Sequence, residues 1–363
     1  MASLNIHLVG GIFEMKKLLC LLLVATIACV GLYPHNSVAA QSKKEVVVFN
    51  WSDYISDEVL NDFTKETGIN VIYSTYESNE SMLAKLQITG NEQTGYDIVV
   101  PSTYYIGMLR EKGLIQELNL KKIGNIKYLD KGFLDQDFDK GNRYSIPYMW
   151  GALGIVVNTK HVKTPVEAWA DLANPAFAGK LIFTDDVRDL FGAALKAVGL
   201  SPNTRSEADL KKASDWLMRL KPMARVFSSE IKQPFMGEEV HVGMGWSGDT
   251  LWMQDEKPEL RFIWPREGAI IWVDSFVIPR NARNVENAHI FINYMLRPEV
   301  AAKCAEEYRY STPNVGALSL LPKELSENRV FRPRGADLAG SETLLDVGAA
   351  MQLYSKYWEK LLD

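Results

Sequence analysis

Tryptophan, tyrosine, serine and aspartate cluster at five places in this chain: Trp51, Asp53 and Tyr54; Ser102 and Tyr104; Asp186 and Asp189; Trp246 and Asp249; and Trp272 with Asp274. An aromatic face attracts a cation at roughly 0.5–2 kcal/mol per contact, and a carboxylate holds an ammonium through charge-assisted hydrogen bonds. Brought together, such groups suit an elongated molecule with methylene segments between ammonium groups. Rings would cover the methylenes and attract the charge, while acids would set length and charge number. Each residue alone has a plainer role. An Asp after a strand usually caps the next helix, an Asp-Asp pair is usually a solvated turn, and a Trp is more often core than binding wall.

Asp274 stands apart from the other acids. Gly268 to Pro279 reads Gly-Ala-Ile-Ile-Trp-Val-Asp-Ser-Phe-Val-Ile-Pro, and its lack of polar alternation predicts a strand buried on both faces. A carboxylate inside such a strand costs several kcal/mol unless a cation or several donors meet it. Trp272, two residues back, points to the same side. Backbone amides, an arginine or a ligand ammonium would each answer the charge.

The elements that position these groups follow from the apolar pattern. Residues 45–50 predict a strand, and residues 57–66 a helix with Val59, Leu60 and Phe63 on one face, stopped by Gly68. Strands at 71–73 and 96–101 and a helix at 81–88 complete an alternation that predicts a mainly parallel sheet covered on both faces. Ligands in such sheets lie beyond the carboxyl ends of strands, which selects residues 51–54 and 102–105. Residues 144–158 form a long apolar run broken by Pro147 and Gly151, as expected where a chain leaves one domain for another. The alternation then repeats over residues 165–240, with strands at 180–183 and 240–246, and residues 268–279 are suited to crossing back. Two α/β lobes joined by two crossings predict a hinge with a cleft between them. The expected division is 41–148 plus 273–323 for one lobe and 149–272 plus 324–363 for the other.

Composition bounds the function. The chain has 363 residues, 47% hydrophobic and 23% charged, an ordinary soluble protein long enough for two domains. Its net charge of -5, with no Lys/Arg block, argues against nucleic acid or an anionic membrane as partner. Residues 1–40 read as a secretory signal: Met15-Lys16-Lys17, an apolar run from Leu18 to Leu32, and small residues at Val38-Ala39-Ala40 before cleavage. Met15 is the expected start, Met1 to Glu14 has no assigned role, and lipidation at Cys29 is the lesser alternative. Export then leaves Cys304 as the one cysteine of the mature chain, which forms no internal disulfide. His161, His241 and His289 have no metal-ligand spacing, and no nucleophile-elbow or phosphate-loop pattern is present. No cofactor is expected. Asp186 with Asp274 could serve as the paired carboxylates of a glycosidase, and oxygen-only ligands would suit calcium or magnesium, which the surrounding aromatic residues suit badly.

The chain resembles the periplasmic spermidine/putrescine-binding family of polyamine ABC importers, within the type II periplasmic binding proteins. The resemblance covers nearly all of the mature chain. It is dense at residues 63–68 (Phe-Thr-Lys-Glu-Thr-Gly), 71–80, 99–105, 144–148, 184–186, 272–275 (Trp-Val-Asp-Ser), 312–314 and 346–349. It implies a two-lobed fold in which a polyamine lies across the cleft. By that resemblance Trp51, Tyr54, Tyr104, Trp246, Trp272 and Tyr310 are aromatic walls, and Ser52, Asp53, Ser102, Asp186, Asp189 and Asp274 are polar contacts. Asp53 and Asp189 stand where spermidine binders carry Glu, and Leu344 stands where they carry Gln. Trp-Ser-Asp-Tyr (51–54) and Gly-Trp-Ser-Gly-Asp (245–249) are more similar to putrescine-specific relatives, in which Asp249 would reach the ligand. Spermidine and putrescine both stay open as ligands. The resemblance also implies a soluble monomer that docks on a membrane permease driven by a cytoplasmic ATPase, and no enzyme activity; a sensor subunit signalling to a membrane receptor is the alternative.

Overall fold

The structure, a computed structural model, describes residues 44–88 and 95–363. The expected signal segment, the Met15 start and Cys29 lie outside the described residues. Strands β1 (Glu45–Trp51), β2 (Asn70–Tyr76) and β3 (Ile98–Val99) form a parallel sheet in the order β2-β1-β3. Helices α1 (Asp57–Thr67), α2 (Asn79–Ile88) and α3 (Thr103–Glu111) follow these strands in turn. Gly68 ends α1 in the left-handed conformation, φ 68°, and its N–H bonds the Thr64 carbonyl, the backbone geometry glycine adopts most cheaply. β3 is shorter than the expected 96–101. The Val100 carbonyl turns out of the ladder to accept the Trp51 indole N–H at 2.9 Å and the Tyr76 hydroxyl at 2.6 Å. Pro101 beyond it has no N–H to give.

The second sheet contains β4 (Ile146–Asn158), β5 (Leu181–Phe183), β6 (Ala224–Phe227), β7 (Val242–Trp246), β8 (Leu260–Ile263), β9 (Ile270–Phe276) and β10 (Glu342–Thr343). Its order is β10-β9-β4-β7-β5-β6, with β8 paired to β4. β5 runs parallel to β6 and β7, and β10 parallel to β9, whereas β4 runs antiparallel to β7, β8 and β9. The antiparallel pairing of β4 with β9 follows from the path of the chain, since one strand leaves the first lobe and the other returns to it. Every residue of β9 is buried, as its unbroken apolar run predicts. Beyond β9, Val277 exchanges backbone hydrogen bonds with Val99, so the returning strand also edges the first sheet.

Helices α4 (Val187–Ala197), α5 (Glu207–Leu220), α6 (Lys232–Met236) and α7 (Ser247–Glu256) belong to the second sheet's surroundings. Helices α8 (Val285–Met295) and α9 (Pro298–Tyr308) follow β9. Phe291 and Ile292 of α8 and Cys304 of α9 pack with Val46, Val48 and Phe63 in one core. Tyr354 and Leu361 of the C-terminal helix Met351–Leu362 pack with Leu190, Phe191 and Leu217 in another. Cys304 is a free, fully buried thiol whose pKa burial pushes up to about 11. Among the described residues no helix is long and apolar enough to cross a membrane.

Candidate ligand-binding site

All thirteen residues singled out in the sequence line one cavity of about 200 Å³. The strand ends deliver them. Trp51 closes β1 and is followed by Ser52, Asp53 and Tyr54; Ser102 and Tyr104 open α3; Asp186 caps α4, which carries Asp189; Trp246 closes β7, and Asp249 lies in the first turn of α7. Trp272 and Asp274 lie within β9, and Tyr310 follows α9.

Among the described residues, the Asp274 carboxylate meets neither an arginine nor backbone amides. Its two carboxylate oxygens accept the Ser102 hydroxyl at 2.7 Å and the Tyr54 hydroxyl at 2.9 Å. Two hydroxyls satisfy lone pairs but bring no positive charge. Burial therefore pushes Asp274 up to about 7, against the pull of those hydroxyls and helped by the Asp186 carboxylate. Asp189 is likewise pushed up to about 7, by burial first, although the Trp246 indole N–H donates to it at 3.1 Å. Asp186 lies well above the carboxylate range, through burial and then the neighbouring Asp189 charge. Its N-capping bonds from the Arg188 and Asp189 amides, at 2.8 and 2.9 Å, do not offset that. Asp249 rises to about 6 through burial, with Lys232 and the Tyr310 hydroxyl opposing. The capping role expected of an Asp after a strand is thus real at Asp186, and it coexists with a place on the cavity wall.

The rings form a connected wall. Tyr310 meets Trp272 edge-on at 5.1 Å and Tyr54 at 5.8 Å between centroids, and Tyr54 lies 6.5 Å from Trp272. Two glycines let these rings lie where they do. A Cβ on Gly151 would stand 2.6 Å from the Trp272 ring, and one on Gly248 would stand 2.4 Å from the Tyr310 ring.

Six further wall residues escaped the sequence reading: Tyr76, Glu77, Asn79, Ser229, Glu230 and Lys232. Tyr76, Glu77 and Asn79 were within reach, since Tyr76 closes β2 and the other two lie just beyond it, where the strand-end rule applies. Asn79 supports the site: its amide nitrogen lies 3.2 Å from Ser102 Oγ and 3.0 Å from the Tyr104 hydroxyl, and its carbonyl accepts the Ser102 N–H. Lys232 gives no such signal, since one lysine at the start of a short helix is an ordinary surface residue. It is the one lysine or arginine on the wall among the described residues, and it pairs with Asp53 at 3.0 Å. Leu344 is buried in a hydrophobic core and does not line the cavity. Among the described residues no group of three or more His, Cys, Asp or Glu could hold a metal ion.

Two α/β lobes joined by paired crossing strands, with a polar cavity at the strand ends, define a two-lobed binding protein of the type II periplasmic class. The chain belongs to the bacterial extracellular solute-binding protein family, whose model matches residues 58–330. It is 41% identical over 349 residues to the spermidine/putrescine-binding periplasmic protein of Escherichia coli (strain K12), covering 96% of this chain and 99% of that one. It is 33% identical over 315 residues to the putrescine-binding periplasmic protein of the same organism, covering 81% of this chain and 84% of that one. Among solved structures, it is similar to a spermidine/putrescine ABC transporter substrate-binding protein from Streptococcus pneumoniae. That likeness has a TM-score of 0.76 at 36% identity and covers 88% of this chain and 98% of that chain.

Proposed function

We propose that this chain is a periplasmic binding protein that captures a polyamine, spermidine or putrescine, between its lobes and delivers it to an ABC permease with a cytoplasmic ATPase. One observation carries the ligand class. Asp186, Asp189, Asp249 and Asp274 line a single cavity, and all four are displaced upward by burial and by neighbouring acids. A site of this kind is short of positive charge, and its ring wall suits a cation carried on methylenes. A glycosidase would instead push its two carboxylates apart, one up and one down. The names of the relatives point to the same ligands.

The thirteen residues act as ligand contacts in this reading, with 41–148 plus 273–323 forming one lobe and 149–272 plus 324–363 the other. The expected partition is supported by β4 and β9, which pair Met149 with Asp274 and Gly151 with Trp272 where the chain crosses. Ligand closure, a cleaved export signal and a soluble monomer complete the proposal. Calorimetric titration with putrescine, spermidine and spermine tests it. We expect binding of at least one of the three by the native chain and none by Asp274→Asn; native affinity in Asp274→Asn would overturn the assignment.

A further inference from the structure

Lys232 holds a position that the ligand reading leaves unexplained. Its Nζ lies 5.4 Å from the centre of the Trp252 ring and donates to Asp53 Oδ2 at 3.0 Å. Asp53 follows β1 and Lys232 starts α6, so the pair joins the two sheets' strand-end loops across the cavity mouth. Asp53 itself sits in the left-handed region at φ 49°, a conformation Asp tolerates better than most residues. Burial opposes the ammonium charge, yet Asp249, Asp53 and Glu230 together hold the Lys232 pKa above its ordinary value. Asp53 thus pairs directly with a resident cation whose charge Asp249 and Glu230 also feel. Asp186, Asp189 and Asp274, elsewhere on the wall, form no salt bridge with a lysine or arginine among the described residues.

The chemistry of that cation matters. A lysine side chain is four methylenes ending in a primary ammonium, which is the aminobutyl arm of a polyamine. Here its ammonium stands near the Trp252 ring, which lies outside the cavity lining, and ends on the Asp53 carboxylate, the kind of group a ligand ammonium would seek. We propose that Lys232 occupies the subsite of one ligand arm at the Asp53–Asp249 end of the cavity, so that the chain selects a diamine over a triamine. A third ammonium would meet a like charge there and find the Asp53 carboxylate taken. The ion pair is exposed on its Asp53 side, with 68% of that side chain accessible, so it adds little to stability. Its consequence falls on selectivity.

This inference rests on the polyamine reading of the same site. Titration calorimetry at pH 8 with putrescine and with spermidine separates the two. The native chain should bind putrescine at least tenfold more tightly than spermidine. Lys232→Met keeps an unbranched side chain of similar reach and removes the charge, and it should shift that ratio at least tenfold toward spermidine. Lys232→Arg should keep the native order. A native preference for spermidine, or a ratio that Lys232→Met leaves within twofold, would overturn the inference while the polyamine reading stands. Absence of binding of any amine by the native chain would overturn both. The native ratio decides the question even if the variants fold poorly.

Discussion

Asp274 carries its charge at the cost of burial, and the sign of that cost can be measured. An Asp in the unfolded chain has a pKa of about 3.9, whereas Asp274 and Asp189 stand at about 7 and Asp249 at about 6 in the folded chain. Between those values the folded state binds more protons than the unfolded one, so stability falls as pH rises from about 4 to 7. Calorimetric unfolding of the ligand-free protein should therefore show a higher melting temperature at pH 5 than at pH 8, and saturating amine should flatten that slope. Ligand uptake near pH 6.5 should release protons, visible as binding heats that vary with the ionisation enthalpy of the buffer. Asp274→Asn removes the buried charge but leaves one hydroxyl with a poorer partner. Relief of charge outweighs that loss, so the variant should be more stable than the native chain at pH 8, on the order of 1–3 kcal/mol. The gain should shrink by pH 5, where the native carboxyl is protonated. That Asp274 needed a partner was legible in its sequence, because a lone acid interrupts an apolar strand. That the partners are Ser102 and Tyr54 was not, since they lie 172 and 220 positions away.

At the scale of elements, strand ends and glycines decide where the rings stand. The strand-helix alternation of the first lobe was readable from apolar periodicity, and α1 lies within a residue of its expected span because Ser56 and Gly68 bracket it. The early end of β3 was not readable, because the Val100 carbonyl is diverted by Trp51 and Tyr76 from other strands. The same holds for Gly151 and Gly248. In sequence Gly151 marks a break in an apolar run, whereas in the fold it is the floor under Trp272. Gly248→Ala should show this directly. Alanine improves helix propensity by at most about 1 kcal/mol, but its Cβ would stand 2.4 Å from the Tyr310 ring, and overpacking costs typically about 1–3 kcal/mol. The clash wins. The variant should melt lower than the native chain and bind amine at least tenfold more weakly, read by thermal unfolding and titration calorimetry.

The whole molecule turns on β4 and β9, which pair in the second sheet; β9 carries Trp272 and Asp274, and the chain just beyond it edges the first sheet at Val277. A cation bound between the lobes should stabilise the assembly by mass action, about 2.7 kcal/mol at a hundredfold excess over Kd. For a chain of this size that predicts a rise in melting temperature of roughly 5 °C, and scattering measurements should show contraction as the lobes close. The thiol of α9 opens a practical route to watching that closure. Because Cys304 is buried and held protonated, maleimide reagents should leave a folded chain that starts at residue 41, and so lacks Cys20 and Cys29, unmodified, as intact mass would show. A cysteine introduced at exposed Glu77 on the cavity rim should then take a single fluorophore without removal of the native thiol, turning the protein into an optical reporter of its amine.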